Sequence, residues 1–187
     1  EALDFYDQAL QEKVRIFGEH HRILIPTLLY TSKVLGSMNK NHEACLSMEN
    51  AIRIQQNIGG SVDNNIDHIS KLAAKDGIFL AKLHVQLGEM QQKHGNIIAA
   101  MTSFRDALNI QVDCRQGRTH EEVGYLLFLI ARLHHQKRQY SDARECYCES
   151  LQIYKGLGTK KYLSIVRAIE RGLNDRTMSF WSEQGTV

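Results

Sequence analysis

Nine histidines and four cysteines are the side chains of this 187-residue chain best suited to hold a metal ion or act as nucleophiles. Their spacing argues against both. His20-His21 and His134-His135 are adjacent pairs, and neighbours on a helix point about 100° apart, whereas shared ligands need to lie three or four residues apart. His42 and Cys45 have that separation, but two ligands do not make a structural zinc site. Cys146 and Cys148 lie two apart on a helical pattern and face away from each other. With Cys45 and Cys114 they read as reduced thiols. There is no glycine-rich phosphate loop and no nucleophile elbow. The paired carboxylates Glu121-Glu122 stand at a helix start, where the macrodipole accounts for them. The linker histidines read as turn residues satisfying backbone groups at a helix start. The sequence predicts no catalytic residue, no metal and no cofactor, hence a protein that is not an enzyme.

Composition narrows the partner class. Lys and Arg total 23 against 21 Asp and Glu, a formal net charge of +2. A nucleic-acid or membrane surface would show a clustered basic field instead. No apolar run approaches the ~20 residues of a membrane-spanning helix. The expected partner is therefore a protein, with no nucleic acid and no membrane insertion, and the expected location is cytoplasmic. The chain begins with Glu1 part-way through a repeat and reads as a piece of something longer, so its lack of a targeting segment weighs little.

That repeat is the strongest signal. Ala2-x3-Tyr6-x2-Ala9-Leu10, Ala44-x3-Met48-x2-Ala51-Ile52, Ala100-x3-Phe104-x2-Ala107-Leu108 and Ala143-x3-Tyr147-x2-Ser150-Leu151 share one spelling, their first alanines 42, 56 and 43 residues apart. Between them lies a second helix type, carrying Leu28-x3-Ser32, His84-x3-Gly88 and Leu127-x3-Ala131. The small residue sits one turn beyond the larger one, where a neighbouring helix can come close. Alternating A and B helices predict an all-α fold, an α-solenoid of antiparallel helix pairs wound as a right-handed superhelix. Ala44, Ala51, Ala100, Ala107, Ala131 and Ala143 are the expected seams.

Expected boundaries are a half repeat at 1–20, repeats at 22–58, 76–115 and 119–157, a terminal helix at 160–176 and a tail at 179–187. The single proline, Pro26, falls in the first turn of a helix, where its missing N–H is harmless. Asn41, Asn96 and Ser141 are expected caps, Thr119-x2-Glu122 a capping box, and Gly18, Gly60, Gly117 and Gly158 helix ends. The long middle interval places an insertion at 59–74, either a surface loop or a short extra helix around Ile66–Ala73. Phe180-Trp181 either covers the last helix or packs on another protein. The first helix lacks an A partner within the chain; preceding residues or another subunit would supply it.

Gly18-x2-His21-x2-Leu24 and Gly117-x2-His120-x2-Val123, with Glu43-Ala44 and Ala51-Ile52-Arg53-Ile54, resemble the tetratricopeptide repeat family. The 42-residue interval is similar to the type found in kinesin light chains and nephrocystin-like proteins. The resemblance spans roughly 1–175. It implies a protein-interaction scaffold or adaptor whose A helices line a concave groove. Where kinesin light chains carry Asn-Asn after the leading Leu, this chain has Leu29-Tyr30, Val85-Gln86 and Phe128-Leu129, so that family's cargo recognition does not carry over. The expected groove residues are Tyr30, Lys33, Ser37, Gln86, Glu89, Lys93, Arg132 and Gln136, a mildly basic stripe suited to an acidic peptide segment. Two further readings stand beside this one: a structural subunit of a large multiprotein assembly, and a regulatory module of a larger enzyme.

Overall fold

The structure, a computed structural model, describes residues 2–58, 66–158 and 160–175, with side chains at all of these except 58 and 66–73. Helices follow one another through the chain: α1 (Ala2–Phe17), α2 (Ile25–Ser37) entered by a 3₁₀ turn (Arg22–Leu24), α3 (Asn41–Ile58), α4 (Ile66–Lys93), α5 (Ile97–Arg115), α6 (Glu121–Gln136), α7 (Tyr140–Leu157) and α8 (Leu163–Leu173). No strand occurs among the described residues. The fold is an all-α solenoid of helix pairs. The chain forms two compact units, Glu1–Ser103 and Phe104–Val187, divided within α5. No described helix is long and apolar enough to cross a membrane.

The recurring alanines hold the pairs together. Ala44, Ala51, Ala100, Ala107, Ala131 and Ala143 are all 0% exposed. A residue this small lets two helix backbones approach, and a larger one would part them. Ser32, at the small position of α2, donates its hydroxyl to the carbonyl of Ala44 at 2.9 Å. Ser150, which stands where the other repeats have alanine, does the same to the carbonyl of Gly124 at 2.7 Å. Around these seams, Leu24, Ile25, Leu28, Ala51 and Ile54 form one core of the first unit, joined by Leu10 and Val14 of α1. In the second unit Ala131, Ala143, Tyr147, Tyr154, Val166 and Ile169 form the core that receives α8.

The A-to-B turns share a backbone device that the sequence pattern did not reveal. Asn39, Gly95 and Arg138 all have positive φ, at 59°, 78° and 59°. The next residue's N–H reaches back to a carbonyl five residues earlier: Lys40 to Leu35 at 3.0 Å, Asn96 to Gln91 at 2.9 Å and Gln139 to His134 at 2.9 Å. This closes the free carbonyls of each A helix.

Several local expectations change on contact with the structure. Asn96 does cap α5, accepting from the Ala99 N–H at 3.2 Å. Asn41 instead lies inside α3 with its side-chain oxygen buried and unpartnered. The Thr119 capping box does not form: His120 is the cap residue of α6 and makes no side-chain cap bond. Glu122 turns instead to Arg115, at 2.6 Å, since a full opposite charge outcompetes a neutral N–H. Gly117 does not take the left-handed conformation after α5; Gln116 does, with φ 54°. His21 behaves as a turn histidine, its Nδ1 accepting from the Ile23 N–H at 3.2 Å.

The insertion differs as well. Residues 66–73 belong to α4, which thereby reaches 28 residues; no glycine or proline between Ser61 and Asp76 interrupts it. Residues 59–65, with Gly60, and the Phe180-Trp181 tail lie outside the described residues.

Candidate functional site

Each A helix has one face in the core and one in water. In the first unit, α2 buries Ile25, Thr27, Leu28, Thr31, Ser32 and Leu35, which turns Tyr30, Lys33 and Ser37 outward. On α4, Gln86 and Lys93 are exposed and Glu89 is half-buried. Tyr30 is 54% exposed despite its size, and the structure explains how it is held. Its ring stacks on Tyr6 of α1, centroids 5.9 Å apart and planes 6° from parallel. Lys33 places its Nζ 5.7 Å from the same ring. Such an exposed cation–π contact contributes about 0.5–1 kcal/mol, enough to bias the lysine's rotamers. The Ser37 hydroxyl turns back onto its own helix, donating to the Val34 carbonyl at 2.7 Å.

In the second unit α6 buries nine residues from Val123 to His134 and exposes Arg132 and Gln136. Arg132 lies over the Phe128 ring, its Cζ 5.7 Å from the centroid. Sequence reasoning missed Tyr6 and Phe128 as ring partners of the site. Tyr6 was legible only as a core position of its repeat, and Phe128 only as a lost asparagine.

The groups that might have carried chemistry are tied into the scaffold. His134 is buried, with Nδ1 3.1 Å from Gln139 Oε1 and 3.5 Å from Asp142 Oδ2, and Nε2 3.4 Å from Arg105. His135 points elsewhere, with Nε2 3.6 Å from Asp175 Oδ2. No group of His, Cys, Asp and Glu among the described residues is arranged to hold a metal. All four cysteines are free thiols. Burial pushes the thiols of Cys45, Cys114 and Cys146 above their usual range.

A polar knot ties the segment before α8 to the start of α6. Tyr162 donates its hydroxyl to the Glu121 carboxylate. Lys161 donates to the same carboxylate at 3.2 Å and to the Tyr162 oxygen at 2.9 Å. The Tyr154 hydroxyl donates to the Glu121 carbonyl at 3.0 Å. The bond from Tyr162, then that from Lys161, holds the Glu121 carboxyl below the ordinary carboxylate range. Burial pushes the Tyr154 hydroxyl well above its ordinary value. Arg118, Glu149, Ile153 and Leu157 line a cleft of about 560 Å³, and Arg118 pairs with Glu149 at 2.9 Å.

Residues 125–156, covering most of α6 and α7, match the tetratricopeptide repeat family. No curated protein matches the sequence. Among solved structures, the crystal structure of BtubC (BKLC) from P. vanneervenii is similar, with a TM-score of 0.58 and 14% identity over 93% of this chain and 72% of that one. At that identity the likeness speaks for the fold alone.

Proposed function

We propose that the chain is a non-enzymatic interaction scaffold or adaptor that holds a partner protein segment against the outward faces of its A helices. The observation that carries this is a cation set against an aromatic ring in each unit, Lys33 by Tyr30 and Arg132 by Phe128, each at 5.7 Å, with the two cations at corresponding repeat positions. A flat apolar plate beside a fixed positive charge suits a peptide bearing a carboxylate next to an apolar side chain. Tyr30, Lys33, Ser37, Gln86, Glu89 and Lys93 form this surface in the first unit, and Arg132 and Gln136 in the second. In the first unit Lys33 and Lys93 stand beside one carboxylate, Glu89, and in the second Arg132 is the charged member, so each surface by itself favours an acidic segment on charge. The tetratricopeptide match over 125–156 supports the same class of role.

Peptides selected by display on the purified chain test this reading. Acidic sequences should be enriched, and Lys33→Glu with Arg132→Glu should weaken their binding by roughly tenfold or more. Unchanged affinity in the double variant discards the surface. A second reading, membership of a larger complex, is favoured by the exposed apolar residues of α1, Phe5 at 71% and Ile16 at 61%.

A further inference from the structure

Helix α4 carries a charged stripe of which Gln86, Glu89 and Lys93 are only a part. Ala81, Leu83, His84, Leu87, Gly88 and Gln91 are buried. That leaves Lys82, Gln86 and Lys93 exposed and Glu89 half-buried on the opposite side. At about 100° per residue, these four fall within roughly 60° of one another. Lys75, also exposed, continues the same line toward the start of the helix. Among the described residues, Lys82, Glu89 and Lys93 take part in no ion pair. Helix α2 runs beside this stripe. Leu29 packs with Leu83, Leu87 and Met90, and the Ser32 hydroxyl lies 4.0 Å from the Met90 sulfur.

The order of the charges says what shape of partner fits. Lys33, the one charged residue of α2, is the repeat counterpart of Glu89, 56 residues before it. The middle of the surface therefore carries one charge of each sign, and uncompensated positive charge is left at Lys82 and Lys93. Their eleven-residue separation puts them about 16 Å apart along the helix. An extended chain covers that distance in about five residues. Side chains an even number of residues apart point to one face, so carboxylates about four or six apart come within reach of the flexible lysine stems. We infer that Lys82 and Lys93 anchor two separated carboxylates of one extended partner segment, with no carboxylate between them. A continuous acidic run would set one of its charges against Glu89, which repels it. This names the partner chemistry of the A-helix surface in the first unit, and it rests on the reading of that surface given above.

A set of fluorescent decapeptides tests it on the 187-residue chain by anisotropy. Each carries two glutamates in an otherwise uncharged sequence of one composition, placed from one to eight residues apart. Affinity should peak at separations of four to six, roughly threefold or more above the adjacent pair. Lys82→Glu should flatten that peak, lowering it by roughly threefold or more at unchanged far-UV circular dichroism. Glu89→Gln should raise the affinity of the closely spaced pairs and so broaden the profile. A profile without a peak overturns the inference, and so does a peak that Lys82→Glu leaves at full height. In either case, binding that still falls with Lys33→Glu leaves the A-helix surface itself standing. Absence of binding by every peptide of the set and by display-selected acidic peptides overturns both.

Discussion

Tyr147 lies so close against Gly172 that a Cβ added to the glycine would sit 2.7 Å from the ring's Cζ. Helix α8 thus docks on α7 with its backbone against an aromatic ring that is itself 3% exposed. Gly172→Ala separates two effects of opposite sign. Helix propensity alone would stabilise α8 by about 1 kcal/mol. The clash with a confined ring destabilises by about 1–3 kcal/mol. The expected outcome in urea unfolding is a net loss, with far-UV signal retained in the folded baseline.

The three A-to-B turns supply a backbone test free of side-chain contacts. A Cβ at Gly95 would meet nothing within 4 Å, so Gly95→Ala costs only the left-handed conformation, about 1 kcal/mol. Arg138 already bears that cost at φ 59°. Arg138→Gly should therefore be neutral or stabilising by a few tenths of a kcal/mol or more, the gain being offset in part by unfolded-state entropy. Thermal unfolding should show a lowered midpoint for Gly95→Ala and an unchanged or raised one for Arg138→Gly.

Ser150 joins two helices through one hydroxyl, bonded at 2.7 Å to the Gly124 carbonyl. Ser150→Ala keeps the size and loses that bond, which costs about 1 kcal/mol. Ser150→Leu also forces α6 and α7 apart and should cost about 3 kcal/mol or more. Equal losses in the two variants would mean that the seam tolerates bulk.

How much of this could be read from the letters follows from where each signal resides. The alanine seams were legible because the spelling recurs, and every one of those six alanines is fully buried. The left-handed turns were not, because Asn39 and Arg138 carry no glycine to mark them. The capping box at Thr119 failed because a local rule does not see Arg115 arriving from the preceding helix. On the candidate surface, the outward direction of Lys33 and Arg132 follows from helical period. The Tyr6 plate beneath Tyr30 depends on the register between α1 and α2, which a single sequence does not encode locally.

The knot at Glu121 sets a direction for acid sensitivity. Its carboxyl is held below the ordinary range by the bonds from Tyr162 and Lys161. A group with a depressed folded-state pKa contributes stability that is present above its unfolded value, near 4.3–4.5, and is lost as pH falls through the folded value. Glu121→Gln should therefore lower stability at neutral pH slightly and leave stability less dependent on pH across that acidic window. The group is exposed, so high salt should shrink the difference. Urea unfolding at pH 7 and pH 3.5 measures both effects.

The proposed role puts partner contacts on the outward faces of α2 and α4 in the first unit and of α6 in the second. Amide chemical shifts of the isotope-labelled chain, followed while a display-selected acidic peptide is added, test this residue by residue. The account predicts shifts concentrated at Tyr30, Lys33, Ser37, Gln86, Glu89, Lys93, Arg132 and Gln136. Shifts confined to the outer faces of the B helices, around Leu46, Ile98 and Cys148, would contradict it.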